Sequence, residues 1–200
     1  IAPGATSYSD TSVQPVTNFC YQVRAVNGVG LSSYTSVSCA TTPAESNGAL
    51  QFDGSNDYVT FGSAPGLGLQ TFTIETWFKR TGTGIAVSTG SNGVNAVPLV
   101  TKGSPQADGS NVDENYVLGI RSSDNVLAAD FETYANCGSR PAGDNTPIMG
   151  VTPIVNDTWY HAAFTYDGTA LKLYLNGNLE STVASTCIPR YDSIQHAGLG

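Results

Sequence analysis

The stretch HAAFTYDGTALKLYLNGNLESTV, residues 161–183, leaves this chain little choice of fold. Asp167-Gly168 and Asn176-Gly177 are turn dipeptides of the primed type, whose twist matches that of the strands they join. Between them Leu171, Leu173 and Leu175 interleave with Lys172 and Tyr174, so one face of a strand is buried and the other is wetter. This predicts three antiparallel strands, Tyr160 to Tyr166, Ala170 to Leu175 and Asn178 to Val183. The same habit runs through the chain. Twenty-two glycines and ten prolines punctuate short Val, Ile, Thr, Tyr and Phe runs. No convincing helical stripe of apolar residues interrupts them, which predicts an all-β sandwich or jelly roll.

Composition narrows the function classes. Only 12% of the 200 residues are charged while 40% are hydrophobic, so the chain can bury a core and is not of the disordered type. The net charge of −8 repels phosphate backbones, which excludes nucleic acid as a natural partner. Apolar runs such as Ala96 to Val100 are far shorter than the roughly 20 residues that span a bilayer. The N-terminal IAPGATSYSD has neither a basic start nor an apolar signal core, so a secretion signal is expected upstream or already removed. Four cysteines without CxxC spacing read as two disulfides of an extracellular protein, or as four thiols of a reduced one.

Composition shifts at TTPAESNGA, residues 41–49, and the linker is placed at 44–48. Upstream, FCYQVRAVNGVGLSSYTSVSCATT reads as two strands joined by a turn containing Asn27-Gly28, with Phe19, Tyr21, Val23 and Ala25 on one face. Such a pair does not stand alone in water. Residues 1–43 resemble the last three strands of a bacterial fibronectin type III domain, although Phe19 stands where that family commonly has a corner tyrosine. The resemblance implies an Ig-like sandwich of about 100 residues, whose first half is expected before Ile1 or from another chain. It also implies adjacent strands carrying Cys20 and Cys39. Strict alternation sets the two on opposite faces, so a disulfide between them is expected to need a bulge or register offset.

From Ala49 the segments ALQFDGSNDYVTFG, FTIETWFKR, NYVLGIRSSDNVLAADFE, NDTWYHAAFTYDG, LKLYLNGNLE and DSIQHAGLG follow in order. They resemble a bacterial laminin-G-like domain of the concanavalin A-like jelly-roll type, distantly similar to pentraxins, over residues 49–200. The resemblance implies a second sandwich whose closing strands are expected beyond Gly200. Cys137 and Cys187, in the loop-like NCGSRPAGDN and STCIPRYD, either close a long loop as a disulfide or remain thiols.

Jelly rolls of this shape also host glycoside hydrolases, which need two carboxylates flanking the bond. Asp130-Phe131-Glu132 has i, i+2 spacing, but no third acid continues the face, and the pair reads as an acidic strand end at a turn or rim. His161 reads as packed or hydrogen-bonded, His196 shows no partner, and no GxSxG elbow occurs. The chain is therefore read as no enzyme. Calcium is the candidate ion, because a hard cation needs oxygen ligands crowded on loops. Asp108, Asn111, Asp113, Glu114 and Asn115 offer them before the strand at Tyr116. That loop resembles the acidic calcium segment of pentraxins, which places the remaining ligands after AGLG; a solvated acidic turn is the other reading. Asp53 and Asp57 form a second candidate, equally readable as an Asx turn. Trp77 and Trp159 are expected in the core rather than as sugar platforms.

These readings converge on a non-enzymatic module of a large bacterial surface or secreted protein, calcium-stabilised and binding an extracellular glycan or protein. The alternatives are the binding portion of a secreted carbohydrate-active enzyme, and a subunit or repeat of a self-assembling fibre that takes copies of itself as partners.

Overall fold

The computed structural model describes residues 7–10, 12–43, 48–105 and 108–200. The chain divides into two compact units, Ile1–Leu50 and Gln51–Gly200. Of the linker placed at 44–48, all but Gly48 lies outside the described residues.

The first unit holds four short strands, β1 (Asn18–Tyr21), β2 (Val26–Asn27), β3 (Gly30–Leu31) and β4 (Ser38–Thr41). β1 pairs with β4 and β2 with β3, all antiparallel. Asn27 Oδ1 accepts the N–H groups of Val29 and Gly30 and so closes the hairpin tip. Between the two pairs, Thr35 donates to the Val23 carbonyl and Ser32 to the Ala25 carbonyl. The result is an extended ribbon with nearly every described residue exposed. Cys20 sits directly opposite Cys39 in register, Cα atoms 4.0 Å apart, and the two form a disulfide. The expected bulge is absent, because residues directly opposed on antiparallel strands point to the same face.

The second unit holds eleven strands: β5 (Val59–Thr60), β6 (Phe72–Lys79), β7 (Val87–Ser88), β8 (Asn95–Lys102), β9 (Tyr116–Arg121), β10 (Val126–Asp130), β11 (Ile148–Pro153), β12 (Trp159–Tyr166), β13 (Ala170–Leu175), β14 (Asn178–Ala184) and β15 (Ala197–Leu199). Among the described residues there is no α-helix, only a 3-10 turn at Pro65–Leu67, and no helix is long and apolar enough to cross a membrane. One sheet runs β11-β10-β9-β8-β15-β5 with β7 added on β8; the other runs β14-β13-β12-β6. They close as a sandwich over one apolar core. Phe72, Ile74 and Phe78 of β6, Phe164 and Tyr166 of β12, and the three leucines of β13 meet Leu118, Ile120, Leu127 and Phe131 from the opposite sheet. Phe72 lies 5.1 Å from Phe164 in an edge-on arrangement.

The β12-β13-β14 meander forms where its alternation predicts. At its second turn Asn176 and Gly177 both have positive φ (50° and 78°), as a type I′ turn requires. The first turn differs from expectation. Only Gly168 is left-handed there, and the loop is Asp167–Thr169, because Asp167 Oδ1 accepts from the Thr169 and Ala170 N–H groups and the Thr169 hydroxyl. These bonds pull its carboxyl down to about 2.

Candidate functional site

Alternation along β10 sends Leu127, Ala129 and Phe131 into the core, so Asp130 and Glu132 leave on the opposite side of the sheet. That side is not open to water. Residues 89–94 fold across it: the Thr89 hydroxyl donates to Asp130 Oδ2 at 2.7 Å, and Thr89 and Val94 exchange further bonds. Asn145, bridged to Glu132, donates through Nδ2 to the Ser91 carbonyl at 3.0 Å. Gly93 is required by the closeness of this cover. A Cβ there would stand 2.1 Å from Thr89 Oγ1 and 2.9 Å from Asp130 Oδ2. From a third direction the segment before β9 arrives, and the Glu114 N–H donates to Glu132 Oε2 at 2.9 Å. Asp113, Glu114, Asp130 and Glu132 are all 0% exposed.

Asp108, Asp113 and Glu132 each direct a carboxylate oxygen to within 4.8 Å of the others. Among the described residues, both oxygens of Glu114 lack a hydrogen-bond partner, as do Asp113 Oδ1, Glu132 Oε1 and Asn145 Oδ1. Isolated buried carboxylates cost several kcal/mol each, and they either take up protons or gather a cation. Burial, with the neighbouring Asp113, pushes the Glu132 carboxyl up to about 10. Burial also raises Asp130 to about 7 against the pull of the Thr89 hydroxyl. Glu114 is raised well above the carboxylate range by burial and by the charges of Asp130, Glu132 and Asp113. The cations nearby are engaged elsewhere: Arg140 with Asp144 and the Asn145 carbonyl, Arg190 with the Thr133 carbonyl and Asp192. The nest is thus all oxygen, without sulfur or imidazole, and it fits a hard divalent cation.

The residues expected to bind calcium separate in the structure. Asp113 and Glu114 enter the nest and Asp108 stands at its exposed rim. Asn115 is diverted, with Oδ1 accepting from the Leu69 N–H and Nδ2 donating to the Leu69 carbonyl; it fastens the 3-10 turn region to β9. Asn111 is exposed, and its carbonyl accepts from Ile194. Asp53 and Asp57 lie apart in an exposed turn, where Asp53 Oδ1 accepts from Ser55 and Asn56, and Asp57 Oδ2 accepts from the Asp53 N–H.

Other expectations are corrected. Asp130 and Glu132, read as an acidic strand end at a turn or rim, are sealed at the centre of the nest, and Glu132 brings a third carboxylate to Asp108 and Asp113. The i, i+2 spacing around Phe131 is visible in the sequence, but nothing in it joins this pair to the acidic loop before β9. Trp77 and Trp159, expected in the core, are 66% and 50% exposed. The reason is register: Trp77 opposes His161 and Trp159 opposes Lys79, while Phe78 and Tyr160 pair on the inner face. His196 has a partner after all, with Nδ1 2.9 Å from Thr60 Oγ1. His161 is half-buried on the outer face, 3.5 Å from the Glu75 carboxylate. Cys137 and Cys187 form a disulfide, so no described cysteine is free.

Comparison with known proteins agrees with this architecture. Residues 53–193 match the family model described as the concanavalin A-like lectin/glucanases superfamily, of laminin-G type. Pappalysin-1 of Mus musculus is 24% identical over 145 residues, 72% of this chain but 8% of the relative; the chain spans under a tenth of that protein's length. Among solved structures, the CBM40 of the Ruminococcus gnavus IT-sialidase, bound to α2,3-sialyllactose, aligns with a TM-score of 0.45 at 13% identity, covering 66% of this chain and 64% of that one. The chain belongs to the concanavalin A-like lectin/glucanases superfamily.

Proposed function

We propose that this member of the concanavalin A-like lectin/glucanases superfamily is a non-catalytic extracellular module, held by calcium and offering its surface to a glycan or protein partner. The observation that carries the reading is Glu114, fully buried with both oxygens unpartnered among Asp113, Asp130 and Glu132. Asp108, Asp113 and Glu132 would hold the ion, and its charge would let this nest stay ionised. Asp130 and Glu132, whose spacing alone suggests glycoside hydrolysis, lie sealed under loops, which supports a structural role over a catalytic one. Two disulfides support an oxidising, extracellular compartment. We read the exposed N-terminal ribbon, with its Cys20–Cys39 disulfide, as the last strands of a fibronectin type III domain.

Thermal unfolding in calcium and then in chelator tests the reading. Calcium at about 100 times its dissociation constant adds about 2.7 kcal/mol, a Tm rise of about 5–10 °C for a chain of this length. Asp113→Ala removes that rise. Equal melting with and without chelator overturns the calcium reading.

A further inference from the structure

The outer face of the β14-β13-β12-β6 sheet is built unlike the rest of the second unit. Register places Trp77 beside His161, ring centroids 5.3 Å apart, and Trp159 beside Lys79, whose ammonium lies 5.9 Å from the indole centroid. The two tryptophans are diagonal neighbours, which on a sheet are roughly 7–8 Å apart. Tyr174, opposite Ala163, and Leu179, opposite Tyr174, extend the strip across β13 and β14. Contiguous exposed aromatic side chains mark recognition surfaces more often than scattered single ones do.

Its charge narrows the ligand. The chain carries −8, yet Lys79 and Lys172 both project from this face, against Glu75 as the single acid that alternation turns outward on β6, β12 and β13. Among the described residues neither lysine makes an ion pair. The other Lys and Arg side chains of the unit are tied to carboxylates or backbone carbonyls. The core of a protein-binding patch is depleted in lysine, whereas here Lys79 lies over the Trp159 indole and His161 beside Trp77. Flat apolar rings edged by polar groups match the C–H face and hydroxyl rim of a pyranose, and the free lysines match an anionic substituent.

We propose that this face binds an acidic oligosaccharide, with Trp77 and Trp159 stacking on sugar rings and Lys79 and Lys172 meeting carboxylate or sulfate groups. The inference rests on the reading of the chain as a non-catalytic binding module, and names the surface and ligand class.

Titration calorimetry of the full chain in calcium buffer, with a galacturonic acid hexamer, a heparin-derived hexasaccharide and neutral cellohexaose, tests it. One or both acidic hexamers bind, which tells carboxylate from sulfate, and cellohexaose binds at least about tenfold more weakly. Trp77→Ala weakens acidic binding about tenfold or more, Trp159→Ala repeats the loss at the second ring, and Lys79→Gln with Lys172→Gln erases both the preference for acid and the salt dependence. Each variant is first shown to melt as the parent does. Equal binding of neutral and acidic hexamers, saturation by none, undiminished binding by both tryptophan variants, or self-association that Trp77→Ala abolishes would each overturn the proposal. The calcium melting shift, measured on the same samples, keeps the two readings apart: glycan failure with that shift intact sinks only this surface.

Discussion

The two outer faces of the sandwich start from the same pattern and end in opposite states. On the seven-stranded sheet, side chains that leave the core at Asp130 and Glu132 are roofed by loops and become fully buried. On the four-stranded sheet, Trp77 and Trp159 leave the core in the same alternating way and stay in water. The difference lies in the connections. β12, β13 and β14 are joined by turns only a few residues long, which leave nothing to fold back. On the larger sheet the 89–94 connection, the 108–115 segment and Asn145 fold over the outer face. Alternation fixes which residues leave the core, and the path of the connections decides whether they meet water.

The contrast breaks most visibly under pH. Asp130 titrates near 7 and Glu132 near 10 in the folded, cation-free chain, both raised by burial, whereas unfolded carboxyls titrate near 4. Between roughly pH 4 and 10 the folded chain therefore binds more protons than the unfolded one, the difference being largest below 7, so its stability falls as pH rises through that window. In chelator the Tm drops between pH 5 and 8, by a few kcal/mol in stability terms; in calcium the drop shrinks, because the ion takes the place of the protons. Scanning calorimetry across that range, with and without chelator, checks both slopes. A flat profile in chelator would show that the nest keeps its charges in the folded state.

A smaller effect belongs to Gly93→Ala, whose Cβ meets Thr89 Oγ1 at 2.1 Å. Overpacking of this sort costs about 1–3 kcal/mol, and here it also displaces the loop over Asp130, so urea unfolding shows lower stability and calcium titration a weaker site. The smallest effect is at the open face. Trp77→Ala changes stability by about 0.5 kcal/mol or less, because no roof depends on it. A loss several times larger, seen in the same urea experiment, would mean that the strip is structural.

What could be read in advance was local. The meander, its Asn176-Gly177 turn and the all-β class come from patterns a few residues long. Even there, the Asp167 side chain outcompeted the primed turn by bonding to the backbone two and three residues on. The nest was half legible: Asp113 and Glu114 stood out as an acidic loop, but their meeting with Glu132, 18 residues away, depends on β9 and β10 pairing in one register. Nor could spacing show that Asn115 would be spent on Leu69, 46 residues back. The tryptophans were misread because size argued for burial, while parity along β6 and β12 had already assigned the inner face to Phe78 and Tyr160.

The Cys137–Cys187 disulfide spans 50 residues of sequence, and that span contains the whole of β11 to β14. The exposed Asn176-Gly177 tip, the natural place for a protease to cut this unit, falls inside the covalent ring. A nick there opens the ring without releasing a fragment. The cut chain travels as one species until it is reduced, and in an environment rich in proteases this part of the molecule keeps its pieces in place after it has been clipped.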